Sequence, residues 1–438
     1  MNYPDSVAYL SSLLGDIRSA SFGLARMEQL TARLGWPQRT TRVIHVAGTN
    51  GKGSTAAMIA AGLRAAGRKA GLYTSPHLIR YNERFWIDGR DATDEEFAAA
   101  VTEVRAANEW LAAREGEQRH PTLFETVTAA AFCAFRNASA AWSVVEVGLG
   151  GRLDATNVAD AEIAVITPVD FDHEAFLGKS PEFIAAEKAG ILKPGSKAVI
   201  SSQRPQAAEV IARRCDELGI PLLRAGLDWT AQEVSSREGC YQFEAASAGA
   251  MESPARRIPV ALPLAGEHQI GNALTAIAAL DLAGVEPAAI REGISQTRWP
   301  GRLERMPGTP EILLDAAHNP SGAKTLARYL EQHQSGRRIH LIYGAVRDKA
   351  VDEVASILFP LVERVVLTRS RISRSISPAT LHGLLDHCHE RIETADTVEQ
   401  AIGMARRNAL PGDLILIAGS IFLVGEAKES LESASVRL

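Results

Sequence analysis

The chain of 438 residues has little that would tie it to a membrane, a nucleic acid or an oxidising compartment. Its four cysteines, Cys133, Cys215, Cys240 and Cys388, lie far apart and show neither metal-ligand nor redox spacing. Reduced thiols in a cytoplasmic protein are the expectation. No apolar run is long enough to span a bilayer. The start, Met1-Asn-Tyr-Pro-Asp5, is polar and lacks the basic and apolar regions of a secretory leader. A net charge of -5 gives no general pull toward nucleic acid or an anionic membrane, so any anion site must be built locally. Internal repeats and low-complexity segments are absent as well. What remains is the apolar content and charge of an ordinary globular protein, at a length that suits two domains.

What is present is concentrated at one junction. Val43-Ile-His-Val-Ala47 reads as a buried strand, and Ala56-Ala-Met-Ile-Ala-Ala-Gly-Leu63 as a helix. Between them runs Gly48-Thr-Asn-Gly-Lys-Gly-Ser-Thr55. A glycine-rich turn entering a helix aims backbone N–H groups and the positive helix end at one point. Lys52 adds a cation, and Ser54 and Thr55 add hydroxyls for a metal or a phosphate oxygen. The spacing departs from the common phosphate loop: Val46 stands at the first glycine position and Gly53 follows the lysine. The alternative is an ordinary glycine-rich turn with a solvated lysine.

Short apolar runs alternate with helical stretches through the first half. The pattern predicts strands at 43–47, 70–74, 143–147, 163–168 and 197–202. It predicts helices at 53–66, 94–114, 122–137, 181–191 and 205–218. Strands that are apolar throughout imply a parallel sheet covered on both faces. From about 227 to 264 the pattern alternates and suggests an antiparallel excursion, followed by a helix over 268–282. Trp299-Pro-Gly-Arg302 punctuates the chain as a domain boundary. A second series of strands is predicted at 312–315, 338–343, 364–368 and 413–418.

Glu146 lies in the apolar run Ser143-Val-Val-Glu-Val147, where an unpaired carboxylate would be costly. Near the C-terminal end of a strand in a parallel sheet, it suggests a bound metal or cation; a salt bridge to a helix is the alternative. His173, in Asp170-Phe-Asp-His-Glu-Ala-Phe-Leu-Gly178, follows another strand end and would share that edge. Lys188 reads only as a lysine on an amphipathic helix, by default solvated. Phe124, in Pro121-Thr-Leu-Phe-Glu125, suits either stacking on a flat heterocycle or buried packing.

The glycine loop, followed by Tyr73-Thr-Ser-Pro-His-Leu78, resembles the folylpolyglutamate synthase/dihydrofolate synthase family of the ATP-dependent Mur ligase superfamily. The resemblance continues through Glu187-Lys-Ala-Gly-Ile191, Gly266-Glu-His-Gln-Ile-Gly-Asn-Ala273, Pro300-Gly-Arg-Leu-Glu304 and Leu314-Asp-Ala-Ala-His-Asn-Pro320. It implies an α/β fold: a P-loop-like parallel-sheet ATP-binding domain over 1–298, then a smaller Rossmann-like α/β domain over 299–438. It implies ATP contacts at Thr49, Asn50, Gly51, Lys52, Gly53, Ser54, Asn272, Arg302 and Asp315, and Mg²⁺ at Ser75, Glu146 and His173. Lys52, a carbamylated Lys188 and His318 would serve the chemistry. Thr122, Phe124, Glu125, Leu153, Asp154 and Ala155 would hold the pteroate. The implied reaction ligates L-glutamate to dihydropteroate and to reduced folates through an acyl phosphate, or to reduced folates alone. The expected protein is a cytoplasmic monomer with no nucleic-acid or membrane partner. A cell-wall Mur ligase should carry more than forty or so residues before its first strand. A non-catalytic nucleotide-binding module would have no use for Glu146.

Overall fold

The structure, a computed structural model, describes residues 1–13, 23–116, 120–171, 180–249, 254–347 and 350–435. The chain divides into two units. The first comprises Met1–Ser235, Gln242–Pro263 and Gln269–Thr297; the second comprises Ser236–Tyr241, Leu264–His268 and Arg298–Leu438.

The first unit is built on an eight-stranded sheet. Its strands are β1 (Arg42–Ala47), β2 (Ala70–Tyr73), β3 (Phe85–Ile87), β4 (Arg90–Asp91), β5 (Trp142–Glu146), β6 (Ile163–Ile166), β7 (Lys197–Ile200) and β8 (Leu222–Arg224). They lie in the order β4-β3-β2-β5-β1-β6-β7-β8. From β2 to β8 the neighbours are parallel, while β3 and β4 add an antiparallel edge. Apolar residues on both faces of the parallel strands are buried. One face packs Val43 and Val145 with Phe97, Val101, Phe132 and Phe135. Another cluster packs Ala164, Ile166 and Ile200 with Ile184, Ile211 and Cys215.

The strand predicted at 43–47 ends where expected, at Ala47, while those predicted at 70–74, 143–147, 163–168 and 197–202 run one or two residues too long at their C-terminal ends. Beyond Ile166 the chain meets Pro168, which has no N–H to extend the ladder. The carbonyl of Pro168 turns to the glycine loop instead. Helix starts follow local capping chemistry. Thr93, Thr122, Ser180, Asn319 and Ser377 each accept a backbone N–H of the first turn, and Pro181, Pro320 and Pro378 open their helices.

Three further strands, β9 (Trp229–Arg237), β10 (Cys240–Ser247) and β11 (Arg256–Leu262), form a separate sheet in the order β11-β10-β9. This is the alternating segment of the sequence. The turn Glu238-Gly239 has φ of 54° and 83°, the pair of positive values that a two-residue antiparallel hairpin needs.

The second unit has a six-stranded sheet of β12 (Glu304–Met306), β13 (Glu311–Asp315), β14 (Ile339–Tyr343), β15 (Arg364–Leu367), β16 (Ile392–Thr394) and β17 (Leu414–Ala418). The order is β12-β13-β17-β14-β15-β16, parallel except for β12. Leu313, Leu341, Val365 and Leu416 meet Leu326, Leu330, Leu358 and Leu381 in its core. Among the described residues no helix is long and apolar enough to cross a membrane.

Candidate active site

In a parallel sheet, ligands sit outside the C-terminal strand ends. In the first unit β1, β2, β5 and β6 all bring chemistry-bearing residues to that edge.

Strand β1 ends at Ala47, and the glycine loop carries the chain to a helix spanning Lys52–Ala65. Gly51 is the N-cap, with φ of 83°. A Cβ there would lie 2.3 Å from Asn272 Oδ1, so the amide of Asn272 rests directly on the loop. The loop is braced from β6: the Thr49 N–H donates to the Pro168 carbonyl at 2.9 Å, and the Thr49 hydroxyl donates to the Asp170 carbonyl at 2.9 Å. Lys52 Nζ donates to the Thr49 carbonyl at 3.1 Å, which folds the cation back over the loop. Ser54 is buried in the first helical turn. Thr49, Asn50, Gly51, Lys52, Gly53, Ser54 and Asn272 thus gather at one place.

Glu146 is the last residue of β5, beside Val46 of β1, and is buried. Its Oε2 accepts the Ser75 N–H at 3.3 Å, so β2 and β5 deliver Ser75 and Glu146 together. Among the described residues no group of three or more His, Cys, Asp or Glu is assembled as a metal cage. A carboxylate and a hydroxyl beside a phosphate loop still fit Mg²⁺, which keeps waters and substrate oxygens among its ligands. His173, the third expected ligand, lies outside the described residues.

The expectation of a solvated Lys188 is corrected. The side chain is 4% exposed, and its Nζ donates to the Gly48 carbonyl at 2.8 Å. The helix spanning Pro181–Ala189 is drawn in by the Arg152 N–H, which donates to the Glu187 carbonyl at 2.8 Å. A buried cation is thereby placed on the phosphate loop.

The expected pteroate residues divide. Phe124 lies against the backbone of Gly148, two residues beyond Glu146, with its ring centroid 6.4 Å from that of Tyr73. Thr122 and Glu125 form a capping box at the start of the Leu123–Asn137 helix, and Glu125 also pairs with Arg26 at 3.1 Å. Asp154 is buried; it accepts the Leu149 N–H at 2.8 Å and the Thr156 hydroxyl at 2.5 Å. Burial pushes its carboxyl upward against those hydrogen bonds. Ala155 is buried beside it and Leu153 is half-buried.

In the second unit Asp315 ends β13. Its carboxylate accepts the Leu303 and Ala317 N–H groups, each at 2.9 Å, which ties down the turn that carries Arg302. Burial raises the Asp315 carboxyl, with Arg302 the largest opposing influence. His318 Nδ1 lies 2.9 Å from the Ala316 carbonyl, so that nitrogen carries a proton and donates it there. His268 is pushed down to about 4, by burial and then by Arg302.

Sequence reasoning passed over three features. Gln269 donates to Ser54 Oγ at 3.3 Å and accepts from Asn272 at 2.9 Å. Its i, i+3 spacing from Asn272 on one helix was the available signal. His77 accepts Arg84 Nε at 2.9 Å, and burial, then Arg84, pushes it down to about 3. Third, a cavity of about 790 Å³ lies at the C-terminal strand ends of the second unit, lined by Arg347, Arg369, Arg371, Ser370, Asp396 and Glu426 among others. Arg371 is paired with Glu399 and Glu426. Arg347 and Arg369 are exposed and carry no ion pair among the described residues. The arginine-rich run Arg369-Ser-Arg-Ile-Ser-Arg374 was its mark in the sequence.

Comparison with known proteins finds two Mur ligase domains along the chain. The Mur ligase middle domain matches residues 46–280, and the Mur ligase glutamate ligase domain matches residues 301–421. A dihydrofolate synthase/folylpolyglutamate synthase of Bacillus subtilis is 33% identical over 423 residues, covering 94% of this chain and 95% of that protein. The Escherichia coli protein of the same description is 33% identical over 429 residues, covering 98% and 95%. The structure of Mycobacterium tuberculosis folylpolyglutamate synthase complexed with ADP and AMPPCP superposes with a TM-score of 0.91 at 32% identity, covering 98% of this chain and 99% of that one. That of E. coli FolC in complex with DHPP and ADP gives 0.85 at 32% identity, covering 99% of each.

Proposed function

For a chain that belongs to the folylpolyglutamate synthase/dihydrofolate synthase family of Mur ligases, we propose the residues that carry its reaction. The protein is an ATP-dependent acid–amino-acid ligase. It joins L-glutamate to dihydropteroate, giving dihydrofolate, and to the γ-carboxylate of reduced folates, releasing ADP and phosphate.

A carboxylate is a poor electrophile and has to be activated. Its oxygen attacks the γ-phosphorus of ATP; the bond to the bridging oxygen breaks, and an acyl phosphate and ADP result. In our reading the loop N–H groups of Thr49–Ser54 and the ammonium of Lys52 stabilise the charge spread over the transferring phosphoryl group. Asn272, seated on Gly51, holds the nucleotide side of the loop, and Gln269 orients Ser54. Ser75 and Glu146, with His173, would hold Mg²⁺, which supplies charge neutralisation at phosphate oxygens. Lys188 fixes the Gly48 carbonyl; carbamylated, it would present a carboxylate there instead. Phe124 and the loop carrying Leu153, Asp154 and Ala155 take the pteroate.

In the second unit, Arg302 and Asp315 are assigned to the nucleotide. His318 Nε2 is assigned the proton of the attacking amine. That amine adds to the acyl carbon and phosphate departs. The basic cavity suits a dicarboxylic amino acid: the guanidinium groups of Arg347 and Arg369, which carry no ion pair among the described residues, would meet two carboxylates, and Asp396 an ammonium. The functional division is placed at 1–298 and 299–438, and the protein acts as a cytoplasmic monomer.

The observation that carries the assignment is the meeting of the glycine loop, buried Glu146 and buried Lys188 at one sheet edge. Glutamate-dependent phosphate release from MgATP tests it, with dihydropteroate and tetrahydrofolate assayed separately. Release with both is expected. Release with tetrahydrofolate alone would remove the pteroate assignments, and release with neither would remove the ligase reading.

A further inference from the structure

Histidine 45 is the one titratable side chain in the middle of β1, and the reaction as derived makes no use of it. It is fully buried, between β5 and β6. An apolar residue would pack there at no polar cost, yet His45 leaves Nδ1 without a hydrogen-bond partner among the described residues.

Its other nitrogen is fully engaged. His45 Nε2 lies 2.8 Å from the Thr156 hydroxyl. That hydroxyl donates its own proton to Asp154 Oδ1 at 2.5 Å, so the proton between His45 and Thr156 belongs to Nε2. The tautomer is therefore set by the chain of donors. Asp154 Oδ1 also takes the Thr156 N–H at 3.0 Å, and Oδ2 takes the Leu149 N–H at 2.8 Å. Gly148 donates to the same carboxylate. Just downstream, Lys193 Nζ clamps the Asn157 and Ala159 carbonyls at 2.8 Å each. Burial, then the charge of Lys193, holds the imidazole neutral, at about 3.

We infer that His45 is a positioning residue for the acid substrate: through Thr156 and Asp154 it locks the 148–155 loop that lies under Phe124. This rests on the reading of Phe124 and the 153–155 segment as the pteroate site. The geometry gives the lock a purpose. Strand β1 ends in the phosphate loop three residues after His45. One strand thus sets the register of both loops, and the carboxylate to be activated is held relative to the phosphorus it must attack. Small losses of such alignment cost large factors in rate.

Substitutions at His45 and Thr156, read by KM and by amide exchange, test the inference. His45→Leu and Thr156→Val each break the chain of donors, and His45→Gln keeps an N–H near the Nε2 position. Both breaking variants should raise KM for dihydropteroate about tenfold, as lost supporting hydrogen bonds do. KM for ATP should stay within about twofold. His45→Gln should restore most of the loss, and the double variant should be no worse than either single one. Amide exchange at Gly148 and Leu149, which needs no substrate, should quicken in both. If His45→Leu does not fold, Thr156→Val carries the test. Unchanged exchange at those amides, or an equal rise in both KM values, would overturn the positioning role. Faster exchange with an unchanged dihydropteroate KM would overturn it too. In that case Phe124→Ala separates the causes: no effect there means that the pteroate reading itself has failed.

Discussion

Replacing Gly48 with alanine should disable the phosphate loop by a route that can be worked out atom by atom. Gly48 has φ of +149°, and its carbonyl accepts the buried ammonium of Lys188. A methyl group at this position would lie 1.8 Å from Thr167 Oγ1, 2.9 Å from its Cβ and 3.1 Å from its backbone carbonyl carbon. Thr167 cannot step aside. It is fully buried, and both its N–H and its hydroxyl donate to the Ala47 carbonyl. The loop itself has to move, by about 1.5 Å, to reach ordinary contact distance. A displacement of roughly 1 Å in a positioning element costs on the order of a hundredfold in rate, about 3 kcal/mol of barrier. Overpacking adds about 1–3 kcal/mol of lost stability. Phosphate release from MgATP with dihydropteroate and glutamate should therefore fall about a hundredfold, with a modest drop in Tm. Thr167→Ala removes the nearest atom, so Gly48→Ala/Thr167→Ala should recover part of the loss. A Gly48→Ala protein with unchanged Tm and activity within about threefold of the parent would refute the reasoning.

Other perturbations separate the parts of the site. Lys52→Ala should abolish phosphate release in a protein that stays folded; activity within about tenfold of the parent would sink the phosphate-loop assignment. Glu146→Gln should shift the Mg²⁺ titration of activity to higher concentration, and an unshifted titration would remove Glu146 from the metal site. Arg369→Ala should raise KM for glutamate about tenfold and leave KM for ATP alone, since a lost charged hydrogen bond is worth about 1.5–3 kcal/mol; equal changes in both would empty the basic cavity of that role. Acid should destabilise the protein from about pH 6.5 downward. His45 and His77 are held to about 3 and His268 to about 4, against 6.5 for an ordinary histidine. The unfolded chain binds these protons below pH 6.5 and the fold refuses them, so stability is complete above 6.5 and falls toward pH 4. The slope near pH 5 is about 3 kcal/mol per pH unit in the first unit and about 1 in the second. A Tm unchanged between pH 7 and pH 5 would contradict it.

Much of this was legible in the residues. The β1 junction announces itself because an apolar run meets three glycines, a lysine and two hydroxyls. Glu146 stands out because a carboxylate in an apolar strand demands a partner. Lys188 did not stand out, since a lysine on a helix is solvated by default. Only tertiary packing, with Glu187 bound to Arg152, turns it inward. The strands β8 and β16 span Leu222–Arg224 and Ile392–Thr394, too short for any periodicity to register. His45 was hidden for the opposite reason. Its strand is plain in the apolar run, and a histidine within it carries no mark of the hydroxyl that comes to meet it more than a hundred residues later.

The order in which the second unit is assembled has a consequence for synthesis on the ribosome. Its earliest pieces, Ser236–Tyr241 and Leu264–His268, are translated before Arg298, where its main body begins. Tyr241 finds its partner in His333, 92 positions further on, at 3.4 Å. At about 5–20 residues per second, that ring waits roughly five to twenty seconds for the helix that will receive it. Slow translation between Tyr241 and His333 would lengthen that wait, and fast translation would shorten it.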